Sequence, residues 1–351
     1  MAGIIISVLA VLFLTATVLP LVRNDYWTFR SLEYPRLQKL VIGIVLLIAT
    51  FIFRSSFQDY FLWVVLPLVT ACIYLCIKIY PYTWLAPKEM KAARIINEND
   101  ELKVITANVL EDNEQYHRLV SLIKSIEPHL VLLVETDHKW EKAMKDLDNY
   151  YPFSLKKPID NTYGLLFYSK LKLRNEKILF RVEDDVPSIE AEAMLPSGKW
   201  IKVYGLHPKP PVPDESLTST AKDKELMKIA LLAKEEKHPC IVMGDLNDVA
   251  WSHVTTLFRK VSGLLDPRRG RGFFSTYSAF HWWFRFPLDY IFCSKHFGWV
   301  EMKRLPPFGS DHFAMYIKLQ YEPGEDHADK VPHADEEEKS EAQEKASQPV
   351  K

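Results

Sequence analysis

The chain has 351 residues, 48% of them hydrophobic, and a formal charge of −1. That length supports one large core and more than one folding unit, and near-neutrality excludes a protein that grips nucleic acid by bulk charge alone. The average conceals a segregation, because residues 322–351 hold ten acidic and four basic side chains, leaving the rest net basic.

Residues 1–80 read as three transmembrane helices. Gly3–Val22 carries no charge over twenty residues, enough to cross a hydrocarbon core of about 30 Å. Leu40–Phe53 is a shorter apolar run between Lys39 and Arg54, and Tyr60–Ile77 is a third, interrupted by Pro67. Tyr26, Trp27, Tyr60, Trp63, Tyr80 and Trp84 cluster at the ends of these runs, as interfacial aromatics do. No basic residue precedes the first run and two more follow it, which disfavours a cleaved signal peptide. The runs hold no charge in their interiors, which argues against a conduction path. Arg23, Arg30, Arg36 and Lys39 in the first loop, and Lys78, Lys88, Lys91 and Arg94 after the third run, place both segments on the cytoplasmic side. The short second run is the one expected to be re-entrant or interfacial. All four cysteines are expected to be free buried thiols, since none has the spacing and neighbours of a zinc site.

Residues 81–97 look like a Pro-punctuated linker. Beyond it, strands are expected at Leu102–Val109, His129–Val134, Tyr163–Tyr168, Ile189–Leu195, Trp200–Leu206, Pro239–Met243, Leu288–Cys293 and His312–Leu319. Helices are expected at Tyr116–Ile126 and Leu217–Glu236. Strands outnumbering helices predict an α/β sandwich, with sheets inside and helices outside, over residues 98–321. Residues 322–351, without aromatics or apolar periodicity, are expected to be a disordered acidic tail.

Polar residues stand where the apolar runs stop. Asn108 ends the first strand, Glu135 follows the second, and His207 follows a later one. Asp245 and Asn247 lie in GDLND, Asp289 opens DYIF, and Ser310, Asp311 and His312 precede the last strand. Carboxylate and amide oxygens are hard ligands for Mg²⁺ or Mn²⁺, and histidines beside them offer proton transfer near neutrality. Taken singly, Glu135 reads equally as a surface carboxylate, Asn108 and Asn247 as turn residues, and His207 as a loop histidine. Their order is the informative part. The series TANVL, LLVET, YGLLFYSK with Gly164, YGLHP, GDLND, LDYIF and SDH resembles the endonuclease/exonuclease/phosphatase superfamily, and the apolar N-terminus resembles a membrane-tethered bacterial subgroup of it.

That resemblance implies a four-layer α/β sandwich, two packed mixed sheets flanked by helices, that hydrolyses phosphate esters with Mg²⁺ or Mn²⁺. It implies Glu135 as the main metal ligand, with Asn108 and Asp311 contributing. Asp245 would position or deprotonate water, and Asn247 and Asn108 would hold phosphate oxygens. His312, oriented by Asp289 or Asp311, would contact the phosphate, and His207 would contact it as well or donate a proton. The substrates expected are nucleic acid or a phospholipid headgroup, and the location is the bacterial inner membrane with no protein partner inferred. The alternative is a noncatalytic phospho-ligand-binding or scaffolding protein of the same fold. Arg268, Arg269 and Arg271 lead into the aromatic stretch Phe273–Phe286, which reads either as a substrate-side or lipid-touching loop or as a loop packed on the sheet.

Overall fold

The computed structural model describes residues 1–322 and 328–350. Four α-helices precede the α/β region: α1 (Ala2–Val18), α2 (Trp27–Ser31), α3 (Arg36–Ile52) and α4 (Phe61–Ile79). Two mixed sheets follow. The first runs β10 (Phe297–Arg304), β11 (Met315–Tyr321), β1 (Glu101–Asn108), β2 (Leu130–Val134), β4 (Leu165–Ser169) and β3 (Phe153–Lys157). The second runs β5 (Lys172–Leu179), β6 (Ser188–Met194), β7 (Trp200–Leu206), β8 (Cys240–Asp245) and β9 (Asp289–Cys293). Helices α5 (Tyr116–Ile126) and α6 (His138–Ala143) attach to the first sheet, and α7 (Thr220–Glu235), α8 (His253–Ser262) and α9 (Glu336–Ser347) to the second.

Strand periodicity sorts the side chains into layers. Leu130 and Leu132 of β2 join Val203 and Ile241 of the second sheet in the inter-sheet core, while Val131 and Leu133 turn to Leu119 and Ile123 of α5. On the other side Tyr204, Val242 and Phe292 meet Leu226 and Ile229 of α7 and Phe258 of α8. The strands are apolar on both faces because both faces are covered.

Helices α1, α3 and α4 pack through Ala10, Phe13, Leu46, Leu68, Ala71 and Leu75. Residues 2–21 and 58–82 are long and apolar enough to cross a membrane, and only 22% and 33% of an 18-residue apolar stretch within each is buried, whereas the core helix of a soluble protein is mostly buried. Helix α3 has 17 residues and packs against both α1 and α4, but it falls short of the span length that residues 2–21 and 58–82 reach. The loop before α3 and the segment after α4 both meet the α/β domain, with Trp27 N–H donating to Leu217 O at 2.9 Å and Tyr82 OH to Ala250 O at 2.5 Å. Of the four free cysteines, Cys72, Cys240 and Cys293 are buried, but Cys76 is exposed on α4.

The segments expected to be linker and tail are both structured. Residues 81–97 are no loose linker: Met90 is buried in the inter-sheet core, Glu89 pairs with Arg259 and Arg269, and Ala93 N–H donates to Trp299 O. In the tail, residues 336–347 form α9. An Asp335–Glu338 capping box starts it, Ala342 is buried, and Lys260–Glu338 and His253–Glu341 ion pairs fasten it to α8. The remaining tail residues 323–327 and 351 lie outside the described residues.

Candidate active site

Parallel pairing of β1 with β2 and of β7 with β8 brings four strand ends to one edge of the sandwich. Asn108 pairs with Val134, just before Glu135; Leu206, just before His207, pairs with Gly244; and Asp245 pairs with Asp289 of β9. Two glycines permit this closeness. A Cβ on Gly164 would lie 1.9 Å from Thr136 O, and one on Gly244 (φ +137°) 1.9 Å from Leu206 O. The loop ahead of β11 closes the site, since Ser310 Oγ donates to Asn108 O at 2.9 Å and accepts from His312 N–H at 2.9 Å.

Asn108 ties the two halves together. Its Nδ2 donates to Glu135 Oε1 at 2.6 Å and to Asp245 Oδ2 at 3.1 Å, while its Oδ1 accepts from Leu110 N–H at 3.0 Å and so fixes which end of the amide faces the carboxylates. In this geometry Asn108 acts first as a donor. Burial, the Asp245 charge and the Asp311 charge raise Glu135 to about 8, although the Asn108 hydrogen bond and His312 oppose them. Asp245 and Asp311 are also raised by burial.

His312 Nδ1 donates to Asp289 Oδ2 at 2.8 Å, and its Nε2 lies 3.6 Å from Asp245 Oδ2. Burial alone would strip its proton, but Asp289, Asp245 and Asp311 outweigh burial and raise it to about 10. The surrounding carboxylates therefore favour its imidazolium form. His207 is the opposite case: burial lowers it to about 4, and neither ring nitrogen has a hydrogen-bond partner among the described residues. A neutral imidazole can offer a phosphate one N–H, but the proton-donating role is a poor fit to it. Asn247 (φ +49°) donates its backbone N–H to Asp245 Oδ1 at 2.9 Å and one amide hydrogen to Pro208 O at 2.9 Å, leaving a second to give.

Glu135, His207, Asn247, Asp311 and His312 share one cavity of about 430 Å³. Asn108, Asp245 and Asp289 stand behind it, joined by the hydrogen bonds above, so the structure gathers every site residue expected from the sequence. Tyr34, Tyr163 and Glu215 also line it without having been singled out, and Tyr277 and Phe286 line it from the aromatic stretch. Tyr163 sits inside the quoted block YGLLFYSK, with its ring 5.4 Å from His207, and Tyr277 lies in the aromatic stretch, 5.1 Å from His312. Nothing in the sequence pointed to Tyr34, whose OH donates to Asn247 O at 2.7 Å. Asn113 and Asp248 are structural: Asn113 Nδ2 donates to Val109 O, and Asp248 pairs with Lys222 at 2.6 Å. Arg268 is buried on Asp266, with its guanidinium 3.9 Å from the Tyr290 ring centre, and Arg269 pairs with Glu89, so neither faces substrate.

The donor set fits a divalent cation. Three carboxylates, Glu135, Asp245 and Asp311, are crowded and partly desolvated, and Glu135 lies 3.8 Å from the unpartnered His207 Nε2. Ligand atoms of Asp245, Asp289 and His312 also fall within 4.8 Å of one another. A cation among those three would have to break the 2.8 Å bond to Asp289 and displace the His312 proton, whereas Glu135 and Asp311 offer oxygens on the cavity side.

Strand-end carboxylates, a charged His–Asp pair and an amide between two carboxylates define a hydrolase acting on phosphate ester bonds. The chain belongs to the Endonuclease/Exonuclease/phosphatase family, whose pattern matches residues 105–312 and whose enzymes depend on a divalent metal. Solved structures share the fold at low identity. A humanised D. rerio TDP2 with 14 mutations is 17% identical, covers 63% of this chain and 99% of its own, and has a TM-score of 0.52. The human Nocturnin catalytic domain with bound sulfate is 19% identical, with 64% and 96% covered and a TM-score of 0.51. An endonuclease/exonuclease/phosphatase family protein from Bacteroides thetaiotaomicron is 15% identical, with 63% and 98% covered and a TM-score of 0.51. D. rerio TDP2 is also known with a single-strand DNA product. No protein of curated function matches the chain significantly in sequence.

Proposed function

We propose that the protein is a membrane-anchored phosphodiesterase or nuclease that uses Mg²⁺ or Mn²⁺. Glu135 and Asp311 would hold the ion, with Asn108 adjusting the carboxylates around it. Bound there, the cation would neutralise charge on the phosphoryl oxygens. Asp245 orients the attacking water and accepts its proton. The His312 imidazolium, held by Asp289, stabilises the negative charge that grows on the phosphate. Neutral His207 and the free amide hydrogen of Asn247 hold further phosphate oxygens.

The observation that carries this reading is the Asn108 amide bonded at once to Glu135 and Asp245, which joins the oxygen-ligand side of the cleft to its His–Asp side. Anchoring is supported by α1, α3 and α4, which leave Leu12, Ile48, Ile52, Leu62 and Leu66 largely exposed around a common apolar core. The basic first loop lies at the same end as the catalytic domain, which favours a cytoplasmic face of a bacterial inner membrane.

Full-length protein in detergent should hydrolyse bis-p-nitrophenyl phosphate with Mg²⁺ or Mn²⁺ and stop with EDTA. Asp245→Ala and His312→Ala should each lower the rate at least about 10²-fold. Unchanged rates in both variants reject the mechanism.

A further inference from the structure

Beside the catalytic pocket lies a second cavity of about 960 Å³. One wall is the start of α3, where Leu37, Val41 and Ile42 turn apolar side chains outward. The facing wall is the loop before β9, with Trp282 74% and Trp283 59% exposed. Gln38 Nε2 donates to Trp283 O at 3.0 Å and fastens the loop to the helix. Two adjacent indoles facing exposed aliphatic side chains are a poor arrangement in water and a good one at a bilayer interface.

The same cavity is positive. Arg285 and Arg304 line it, with guanidinium carbons 5.1 Å and 4.3 Å from the centre of one ring, Phe313. Neither has a carboxylate partner among the described residues; Arg285 Nε donates to Ser278 O and Arg304 Nη1 to Ser275 O. Burial and the Arg285 charge lower Arg304, so the two cations are held together against their repulsion. Paired guanidinium groups with donors to spare suit a phosphate oxygen. Ile42 lies about 9 Å along the axis from the first residue of α3, which spans the step from headgroup to acyl chain. Aliphatic side chains on a helix entering the bilayer favour a lipid here over a stacked nucleobase.

We infer that this groove binds an anionic phospholipid, acyl chains along Val41 and Ile42 and phosphate at Arg285 and Arg304, and thereby seats the catalytic pocket to act on phosphate esters carried at the bilayer surface. The second part rests on the phosphoesterase reading above. Continuity of the walls supports it, because Tyr34 and Phe286, whose rings meet edge-on at 5.7 Å, face the catalytic side just where Gln38 and Trp283 face the groove.

The test uses full-length protein in nanodiscs of phosphatidylcholine or mixed phosphatidylcholine and phosphatidylglycerol. Acyl-brominated phosphatidylglycerol should quench tryptophan fluorescence more than brominated phosphatidylcholine does. That excess should vanish in Arg285→Ala/Arg304→Ala and in Trp282→Phe/Trp283→Phe. Equal quenching by the two lipids, an excess that survives both variants, or its displacement by single-stranded DNA overturns the lipid site. In parallel, the rate on a nitrophenyl phosphodiester borne on a lipid chain is divided by the rate on its soluble counterpart. The arginine variant should lower that ratio about 10-fold, the loss expected from one charge-assisted hydrogen bond; an unchanged ratio overturns the seating of the pocket. Lipid preference with no hydrolysis of either substrate rejects the phosphoesterase reading while the lipid site stands.

Discussion

Replacing Arg30 with Met probes how the N-terminal segment is joined to the catalytic domain. Arg30 is buried between α2 and α7, where Nη2 reaches Asp223 at 2.8 Å and Asp25 at 3.0 Å and Nε donates to Ser219 at 3.1 Å. Asp223 is fully buried, and Arg30, Lys222 and Lys345 together hold its pKa low against burial, so removing Arg30 leaves its carboxylate to the two lysines alone. Breaking a buried pair costs about 3–5 kcal/mol. Asp223 retains Lys345 at 3.1 Å and Lys222 at 3.6 Å, which points to the lower end. About 3 kcal/mol corresponds to a fall in Tm of about 6–12 °C for a domain of this size. Differential scanning fluorimetry of full-length protein in detergent reads the shift directly. Arg30→Met/Asp223→Leu should recover part of the loss, because the stranded charge goes with its partner. A single variant within about 2 °C of wild type, or a double variant no more stable than the single, refutes the reasoning.

Gly164→Ala should destabilise the protein by at least about 2 kcal/mol, since its Cβ meets backbone on both sides, and a thermal melt checks it. Glu225 in α7 is fully buried and raised to about 8, chiefly by burial. Its folded-state pKa exceeds the unfolded one, so its contribution is intact below about pH 4.3 and erodes as pH climbs towards 8. Glu225→Gln should therefore be more stable than wild type near pH 8, with the advantage shrinking to nothing near pH 4, as melts across that range will read. Asn108→Ala should lower kcat/KM at least about 10-fold by removing two charge-assisted hydrogen bonds, measured at saturating metal.

The legible parts of the fold were those where one residue type has one physical use. Strand β7 and helix α5 fall on their expected bounds because Trp200–Leu206 is an apolar run between turn-forming ends and Tyr116–Ile126 carries a clean helical stripe. The site residues were legible for a related reason: an Asp, Asn or His that ends an apolar strand has few structural excuses. Strand β5 was not expected because Arg174, Asn175 and Glu176 stand among its residues, and Arg174 finds its partner only across the sheet in Glu192. Helix α9 escaped because its anchors are ion pairs with distant residues, and its apolar burial amounts to little more than Ala342. Tyr34 was invisible for the same reason; its value lies in the Asn247 carbonyl, 213 positions away.

That hydroxyl, the bond from Trp251 Nε1 to Glu33 O at 2.9 Å and the Arg30 cluster join the N-terminal helices to the α/β domain without slack. An enzyme on a leash could sample substrates many nanometres into solution. On the anchored reading proposed above this one would have no leash: its reach would be set by the tilt of its helices, and whatever it cleaves would have to come to that plane. Removing residues 1–35 would leave α3 and α4 in place but strip away Tyr34, whose hydroxyl braces Asn247, and so open one side of the cleft.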